Sequence, residues 1–215
     1  MIYQMMPRVQ LEHRQANAFN DPSWKRAVNI RHPFERLYSG WKDKMNTTSK
    51  YFHRIFKSMG LMIHRKYSRE SDVIKGFPMA CSFEGFLSYM AKVEEIQNNN
   101  HFKSLAYFCN PCEVNFTHVT QQESLTEDFL NFMTDVGYYK DMGTIKELRK
   151  ESEKEHPLYA LRQYSSSSSA IPVFQRITQD HVMRKVVERV YERYYWDFVL
   201  FGYTKDEYFS DVVNN

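Results

Sequence analysis

Residues 25–45 read KRAVNIRHPFERLYSGWKDKM, and their hydrophobic pattern changes period after Arg31. Lys25 to Arg31 has an apolar centre, which is typical of a short β-strand. Pro33 follows at a position where helices commonly begin, because the first turn does not need its missing N–H. From Pro33 to Met45 the large apolar side chains recur at helical spacing, as Phe34, Leu37, Tyr38 and Trp41. The segment therefore predicts a strand, a tight turn and a helix in succession.

The rest of the chain predicts further helices and a second strand, within Asn115 to Gln121. Ser82 is expected to cap one helix, and the capping-box pattern Ser124 to Glu127 another that ends at Gly137. More helices are expected at 49–59 and 179–195, the last with an apolar stripe at steps of four (Val182, Val186, Val190, Tyr194), and loops at 64–72, 101–115 and 165–169. Strands alternating with helices indicate a helix-rich α/β fold, and with two identifiable strands its parallel sheet is expected to be incomplete.

Composition and charge argue against several classes of protein. Hydrophobic residues make up 42% and charged residues 26%, as in ordinary globular domains. A net charge of +3 over 215 residues is too small to indicate nucleic acid. No apolar run is long enough to predict a membrane-spanning helix, and Gln4, Pro7 and Arg8 interrupt the start, which does not resemble a signal peptide. We expect a poorly defined segment at 1–20 followed by one domain at 21–215.

Arg31 and Ser39 are the candidate ligand-binding residues. Open α/β sheets bind ligands at the carboxyl ends of their strands, where Arg31 is expected, and its forked cation suits a phosphate. A helix N-terminus adds backbone N–H donors, and Ser39 tilts back toward it from about two turns along. The alternative is an ordinary strand–helix junction with Ser39 as a small surface residue. Arg36 is expected to form a structural ion pair, with Glu35 or Asp43.

The three cysteines are Cys81, Cys109 and Cys112, the last two in a CxxC pattern. A zinc site would need a second pair of ligands, and the flanking His101 and His118 lack finger spacing, so no metal is expected. Two structural thiols remain possible. A disulfide, within the pair or from one of its members to Cys81, is the favoured interpretation.

Two Asn-x-Thr sequons are candidate glycosylation sites, at Asn46 and Asn115. Such triplets are acceptors only in a secretory compartment, and they also arise by chance. Asn115 overlaps the expected second strand, which makes it the poorer acceptor.

Five blocks of this chain resemble the carbohydrate sulfotransferase family that modifies chondroitin, dermatan and the HNK-1 glycan. IRHPFERLYSGWKDK at 30–44 resembles the family's 3′-phosphate-binding motif. The other blocks follow in family order across the chain: SFEGFLSYM at 82–90, the His101 to Cys112 loop with its Cys-Asn-Pro-Cys, Phe116 to Leu125, and the aromatic close Tyr195 to Tyr203.

The resemblance implies a P-loop-type sulfotransferase fold and a transferase of carbohydrate biosynthesis. Its members move a sulfonate from 3′-phosphoadenosine 5′-phosphosulfate (PAPS) to a hydroxyl of a glycosaminoglycan or glycoprotein sugar. The residues that match the family's 3′-phosphate ligands are Arg31 and Ser39. Family members usually work in the Golgi lumen as membrane-anchored glycoproteins, although no anchor is identifiable in this sequence.

The chain also departs from the family pattern. No 5′-phosphosulfate loop of the form P-K-x-G/A-C/S-x-x-W/L precedes Arg31, and Thr120-Gln121 replaces a Gly-Lys pair. We therefore expect an N-terminally truncated or divergent member with weak or no turnover. The first alternative is a catalytically dead relative that binds nucleotide or glycan. The second is an unrelated helical interaction module, which predicts no strand before Arg31 and no disulfide at Cys109 or Cys112.

No residue of the sequence can be assigned as the catalytic base. His32, His101 and His118 are candidates by residue type alone. For each of them a surface position or a satisfied structural role is the favoured interpretation.

Overall fold

A computed structural model describes residues 21–45, 56–67, 81–93, 99–137 and 169–209. The chain forms two compact units. The first comprises Met1–Arg31 and Leu105–Ser167, and the second comprises His32–Ser104 and Ser168–Asn215. The described part is rich in helix and contains a small parallel sheet, so the predicted helix-rich α/β class is confirmed at that level.

The first unit contains the sheet. Strand β1, Ala27–Ile30, pairs in parallel with strand β2, His118–Gln121, in a register that places Ile30 opposite Gln121. Alternation along β1 buries Val28 and Ile30 and exposes the residues between them, as a half-buried strand requires. The predicted second strand is thus confirmed, with Asn115 lying before it rather than within it.

Arg26, the residue before β1, is hydrogen-bonded to the segment that precedes β2. Its backbone N–H donates to Thr117 Oγ1 at 2.8 Å, and its Nε donates to the carbonyl of Asn115 at 2.7 Å. These bonds connect the residue before β1 to the segment before β2, which helps to set the parallel register.

The second unit is helical, and in chain order its first three helices are α1, Pro33–Lys44, α2, Lys57–Tyr67, and α3, Phe83–Lys92. Ser82 caps α3 as predicted, because its Oγ accepts a hydrogen bond from the Gly85 N–H at 3.0 Å. The loop predicted at 64–72 is wrong over residues 64–67, where α2 continues to Tyr67.

The first unit also carries α4, Leu105–Cys109, and α5, Leu125–Asp135. The expected irregular loop at 101–115 therefore contains a short helix, which stops at Asn110 in the left-handed conformation (φ 47). The predicted capping box is also wrong. Ser124 precedes α5, but its Oγ donates to Asp128 Oδ2 at 2.7 Å instead of capping a backbone N–H.

The C-terminal part of the second unit consists of α6, Ile171–Ile177, α7, His181–Arg193, α8, Tyr195–Phe201, and a 3₁₀ turn, Asp206–Tyr208. The predicted stripe is confirmed at Val190 and Tyr194, which are buried, and is wrong at Val182, which is 62% exposed. Met183 and Val187 complete the buried face of α7. Strict steps of four drift by about 40° per step around a helix of 3.6 residues per turn, so they leave the core face.

Aromatic side chains dominate the core of the second unit. Helix α3 packs against α1, α2 and α7, and it buries its residues on nearly every side. The largest fully buried side chains are Tyr194, Phe34, Phe86, Phe102, Phe174 and Phe198. Burying a phenylalanine side chain contributes roughly 1.5–3 kcal/mol, so this cluster is the main source of stability in the unit.

Candidate functional site

Arg31 lies at the carboxyl edge of the two-stranded sheet. It directly follows Ile30, the last residue of β1, and is half-buried. Gln122 follows β2 at the same edge, where its N–H donates to the Ile30 carbonyl at 2.8 Å and its Oε1 accepts from Asn29 Nδ2 at 3.3 Å. The parallel register therefore brings Arg31 to the edge at which α/β sheets bind ligands.

His32 caps the start of α1. Its Nδ1 accepts a hydrogen bond from the Phe34 N–H at 3.3 Å, and its carbonyl accepts from the Arg36 N–H at 2.9 Å. Pro33 has no N–H to offer. Within the first turn of α1, the N–H groups of Phe34 and Arg36 are therefore already hydrogen-bonded to His32.

The imidazole of His32 is a satisfied structural group, as favoured from the sequence. It is buried, and its Nε2 donates to the Thr204 carbonyl at 2.8 Å. Its ring stacks on Tyr208 with a centroid distance of 4.2 Å, and the edges of Phe198 and Tyr203 lie at 5.2 and 5.1 Å. These contacts hold the first turn of α1 in place and argue against His32 as a catalytic base.

Glu35, in the first turn of α1, binds the start of α6. Its Oε1 accepts hydrogen bonds from the Ala170 N–H at 2.7 Å, from Ser169 Oγ at 3.0 Å and from Tyr208 Oη at 3.2 Å. A carboxylate that receives several donors is held firmly, because hydrogen bonds to a charged group are the stronger kind. The predicted pairing of Glu35 with Arg36 is not what the structure shows.

Arg36 forms the structural ion pair that the sequence predicts, but its partner is Asp197. The Nη2 of Arg36 lies 3.6 Å from Asp197 Oδ2 and also donates to the Lys103 carbonyl. Ser104 Oγ donates to the other carboxylate oxygen at 2.5 Å. Asp197 is 1% exposed, so this pair joins α1 to α8 and to residues 103–104 inside the core.

Ser39 lies within α1, four residues after Glu35, and is half-buried. Residues four apart on a helix share a face, so Ser39 and Glu35 lie on one side of α1. The next two residues of α1, Gly40 and Trp41, contact other parts of the second unit. Trp41 donates from Nε1 to the Cys81 carbonyl at 3.1 Å, and Gly40 lies against the ring of Phe102.

The other two candidate histidines occupy different environments. His101 is exposed, and its pKa is lowered, mainly by partial desolvation and to a smaller extent by the charge of Lys44. His118, at the start of β2, has its Nε2 3.2 Å from Asp135 Oδ2 and its Nδ1 2.9 Å from Thr117 Oγ1. Lys25 lies 3.1 Å from the same carboxylate, and its hydrogen bond and charge lower the pKa of Asp135.

The three cysteines are thiols in the structure, so the favoured disulfide is not present among them. Cys81 is wholly buried in the core of the second unit, where its burial raises the pKa of the thiol to about 12. In the first unit Cys109 ends α4, and Cys112 is exposed in the turn that follows. The described residues hold no group of three or more His, Cys, Asp or Glu side chains that could bind a metal ion.

Of the two sequons, Asn46 lies outside the described residues, whereas Asn115 is exposed before β2. The main chain of Asn115 is held through the hydrogen bond from Arg26, which leaves its side chain at the surface. Among the described helices, none has the length and apolar character needed to cross a membrane.

Sequence reasoning missed the roles of Glu35, Ser104 and Asp197. One signal was available for Asp197, which is a carboxylate inside the aromatic run Tyr195 to Tyr203. A charged side chain in such a run is buried only if it is paired, so the pattern predicts a basic partner for Asp197 without showing which residue it is. For Glu35 no local signal existed, because its donors lie far along the chain.

The segment that contains these residues matches a known family. The sequence model of the sulfotransferase family matches residues 4–204. Human carbohydrate sulfotransferase 9 is 25% identical over 85% of this chain and 38% of its own length. Rat carbohydrate sulfotransferase 11 is 27% identical over 86% of this chain and 49% of its own length. Mouse carbohydrate sulfotransferase 8 is 26% identical over 96% of this chain and 46% of its own length.

This chain therefore spans less than half the length of these relatives. No solved structure matches it. The family match and the strand before Arg31 together exclude the unrelated helical module. The chain belongs to the sulfotransferase family.

Proposed function

We propose that this protein takes part in the transfer of a sulfonate group from PAPS to a hydroxyl of a carbohydrate chain. Family membership and the names of the relatives support transfer to a carbohydrate. The observation that carries the proposal is the position of Arg31. It matches the 3′-phosphate motif in sequence and leaves β1 at the ligand-binding edge of a parallel sheet.

In this proposal Arg31 and Ser39 hold the 3′-phosphate of the donor. The guanidinium of Arg31 carries a permanent charge and presents paired N–H donors that match two phosphate oxygens. The Ser39 hydroxyl adds one neutral donor. Because His32 uses the first donors of α1, the two side chains must supply most of the binding energy for this group.

The bound donor would supply the sulfonate, and Arg31 and Ser39 would act by positioning the donor. Fixing a donor against an acceptor removes much of the entropy cost of a bimolecular reaction. The acceptor class that we propose is a glycosaminoglycan or a glycoprotein sugar, with the Golgi lumen as the place of action. In that compartment Asn115 would be an accessible glycosylation acceptor.

A second candidate function is binding without turnover. Thr120 and Gln121 replace the Gly-Lys pair of the family pattern at the end of β2. Thr120 is buried with its Oγ1 3.2 Å from Asn29 Oδ1, and the Gln121 N–H donates to Asp128 Oδ2 at 2.7 Å. These two positions therefore provide no cation at the sheet edge, which favours a chain that binds the nucleotide but transfers the sulfonate slowly.

Calorimetric titration with adenosine 3′,5′-bisphosphate tests the binding step. Arg31→Ala is expected to weaken binding by roughly 10- to 100-fold, since a hydrogen bond to a charged group contributes about 1.5–3 kcal/mol. Arg31→Lys should restore only part of the affinity, because an ammonium lacks the paired geometry. Arg189→Ala, which removes an exposed arginine from α7, is the matched control and should bind like the wild type.

Transfer of labelled sulfonate from PAPS to desulfated chondroitin then separates the two candidate functions. Label incorporated by the wild type and lost in Arg31→Ala supports a transferase. Binding without incorporation supports the second candidate. A folded wild type that does not bind the bisphosphate contradicts both.

A further inference from the structure

We infer that Glu35 is a positioning residue for the nucleotide-binding face of α1. The inference rests on the proposed function, because it assigns to Glu35 a role that acts through Ser39. Glu35 itself is not one of the two residues to which the resemblance assigns the 3′-phosphate. The carboxylate of Glu35 holds one turn of α1 against two other parts of the second unit, and Ser39 lies one turn further along the same face.

Three donors from two distant segments converge on one carboxylate oxygen. The Ala170 N–H at 2.7 Å and Ser169 Oγ at 3.0 Å come from the start of α6. Tyr208 Oη at 3.2 Å comes from the 3₁₀ turn. Ser169 Oγ also accepts from the Ile171 N–H at 3.1 Å, so the carboxylate and the hydroxyl together organise the first turn of α6.

The contacts of Tyr208 extend this arrangement to the cap of α1. Its ring stacks on His32 at 4.2 Å, and its hydroxyl donates to Glu35. His32 in turn caps the Phe34 N–H. The first turn of α1 is therefore held both at its cap and at its third residue, which restricts translation and rotation of the helix that carries Ser39.

Such a restraint affects ligand binding more than overall stability. The apolar core of the unit includes Ala170 and Tyr208, and Glu35 contacts both of them through polar atoms. Losing these hydrogen bonds removes no apolar side chain from the core, and we expect it to relax the orientation of one face of α1. Misplacement by about 1 Å of a group that positions a ligand can cost up to about 100-fold in a reaction.

The test compares Glu35→Ala with Glu35→Gln in calorimetric titration of the full chain with adenosine 3′,5′-bisphosphate. We expect Glu35→Ala to weaken binding about 5- to 20-fold. Glu35→Gln keeps an acceptor oxygen for the Ala170 N–H and should bind within about threefold of the wild type. Tyr208→Phe, which removes one donor and keeps the ring on His32, should weaken binding about two- to threefold.

Glu84→Ala is the matched control. Glu84 is also a carboxylate in the first turn of a helix, and it also contacts α6, through Arg176 at 3.3 Å. It does not contact α1 through that pair. We expect no change in affinity for Glu84→Ala, and melting temperatures measured in parallel confirm that each variant is folded.

A double-mutant cycle with Ser39→Ala shows whether Glu35 acts through Ser39. If it does, Glu35→Ala added to Ser39→Ala lowers affinity by less than about twofold, because residues that act together are not additive. Additive losses, unchanged affinity in Glu35→Ala or tighter binding in Glu35→Gln would each overturn the inference. Those results leave the proposed function intact provided that Arg31→Ala weakens binding, whereas a wild type that does not bind overturns both.

Discussion

The guanidinium of Arg36 and the carboxylate of Asp197 form an ion pair at 3.6 Å within the core of the second unit. The Lys103 carbonyl accepts a hydrogen bond from Arg36, and the Ser104 hydroxyl donates one to Asp197. The Nε of Arg36 is buried without a hydrogen-bond partner among the described residues. The pair is therefore not fully satisfied, and its value lies in joining α1 to α8 rather than in a large net stabilisation.

Removing one side of this pair should be strongly destabilising. Asp197→Ala leaves the largely buried guanidinium of Arg36 without its carboxylate, and we expect a loss of up to about 3–5 kcal/mol in the free energy of unfolding. Urea denaturation measures it. Glu188→Ala removes an exposed pair partner of Arg184 at 3.8 Å on α7, and we expect about 0.3–0.5 kcal/mol. Similar losses in the two variants would contradict the buried pair.

Gly40 is required by the close approach of Phe102. A Cβ at position 40 would lie 2.9 Å from Phe102 Cε1, closer than side chains normally approach. We expect Gly40→Ala to lower the free energy of unfolding by about 1–3 kcal/mol through overpacking. Adding Phe102→Leu should recover part of the loss, and absence of any recovery in the double variant would count against this contact.

The cysteines should differ sharply in reactivity. Iodoacetamide is expected to label Cys112 in the native protein, because it is exposed, and to label Cys81 only after unfolding. Mass spectrometry of peptides from native and urea-treated protein measures this. Rapid native labelling of Cys81 would show that the core around it opens.

Burial of Cys81 also predicts a dependence of stability on alkaline pH. The pKa of the thiol rises from 9.0 to about 12 on folding, so the folded state retains its proton longer. Below pH 9 the thiol is protonated in both states and does not reduce the stability; as the pH rises from 9 toward 12 it ionises only in the unfolded state, and the free energy of unfolding falls. At pH 10 we expect the wild type to lose about 1.4 kcal/mol more than Cys81→Ala, relative to pH 8. Parallel losses in the two proteins would refute this assignment.

Much of the region around Arg31 was predictable because its signals are local. The strand before Arg31, the proline that begins α1 and the Ser82 cap all depend on residues within about one turn of each other. The state of the cysteines was not predictable. CxxC spacing is compatible with several chemistries, and only the folded structure shows Cys81, Cys109 and Cys112 as thiols.

The sequence alone determined the family and the succession of strand, turn and helix, because both depend on order and spacing along the chain. The tertiary structure decided which groups are partners: Asp197 for Arg36, the start of α6 for Glu35, and Tyr208 for His32. It also decided that Val182 is exposed while Val187 is buried on the same helix. These outcomes depend on side chains far apart in sequence that meet only when the apolar faces pack, and no local pattern specifies which of the possible partners that packing selects.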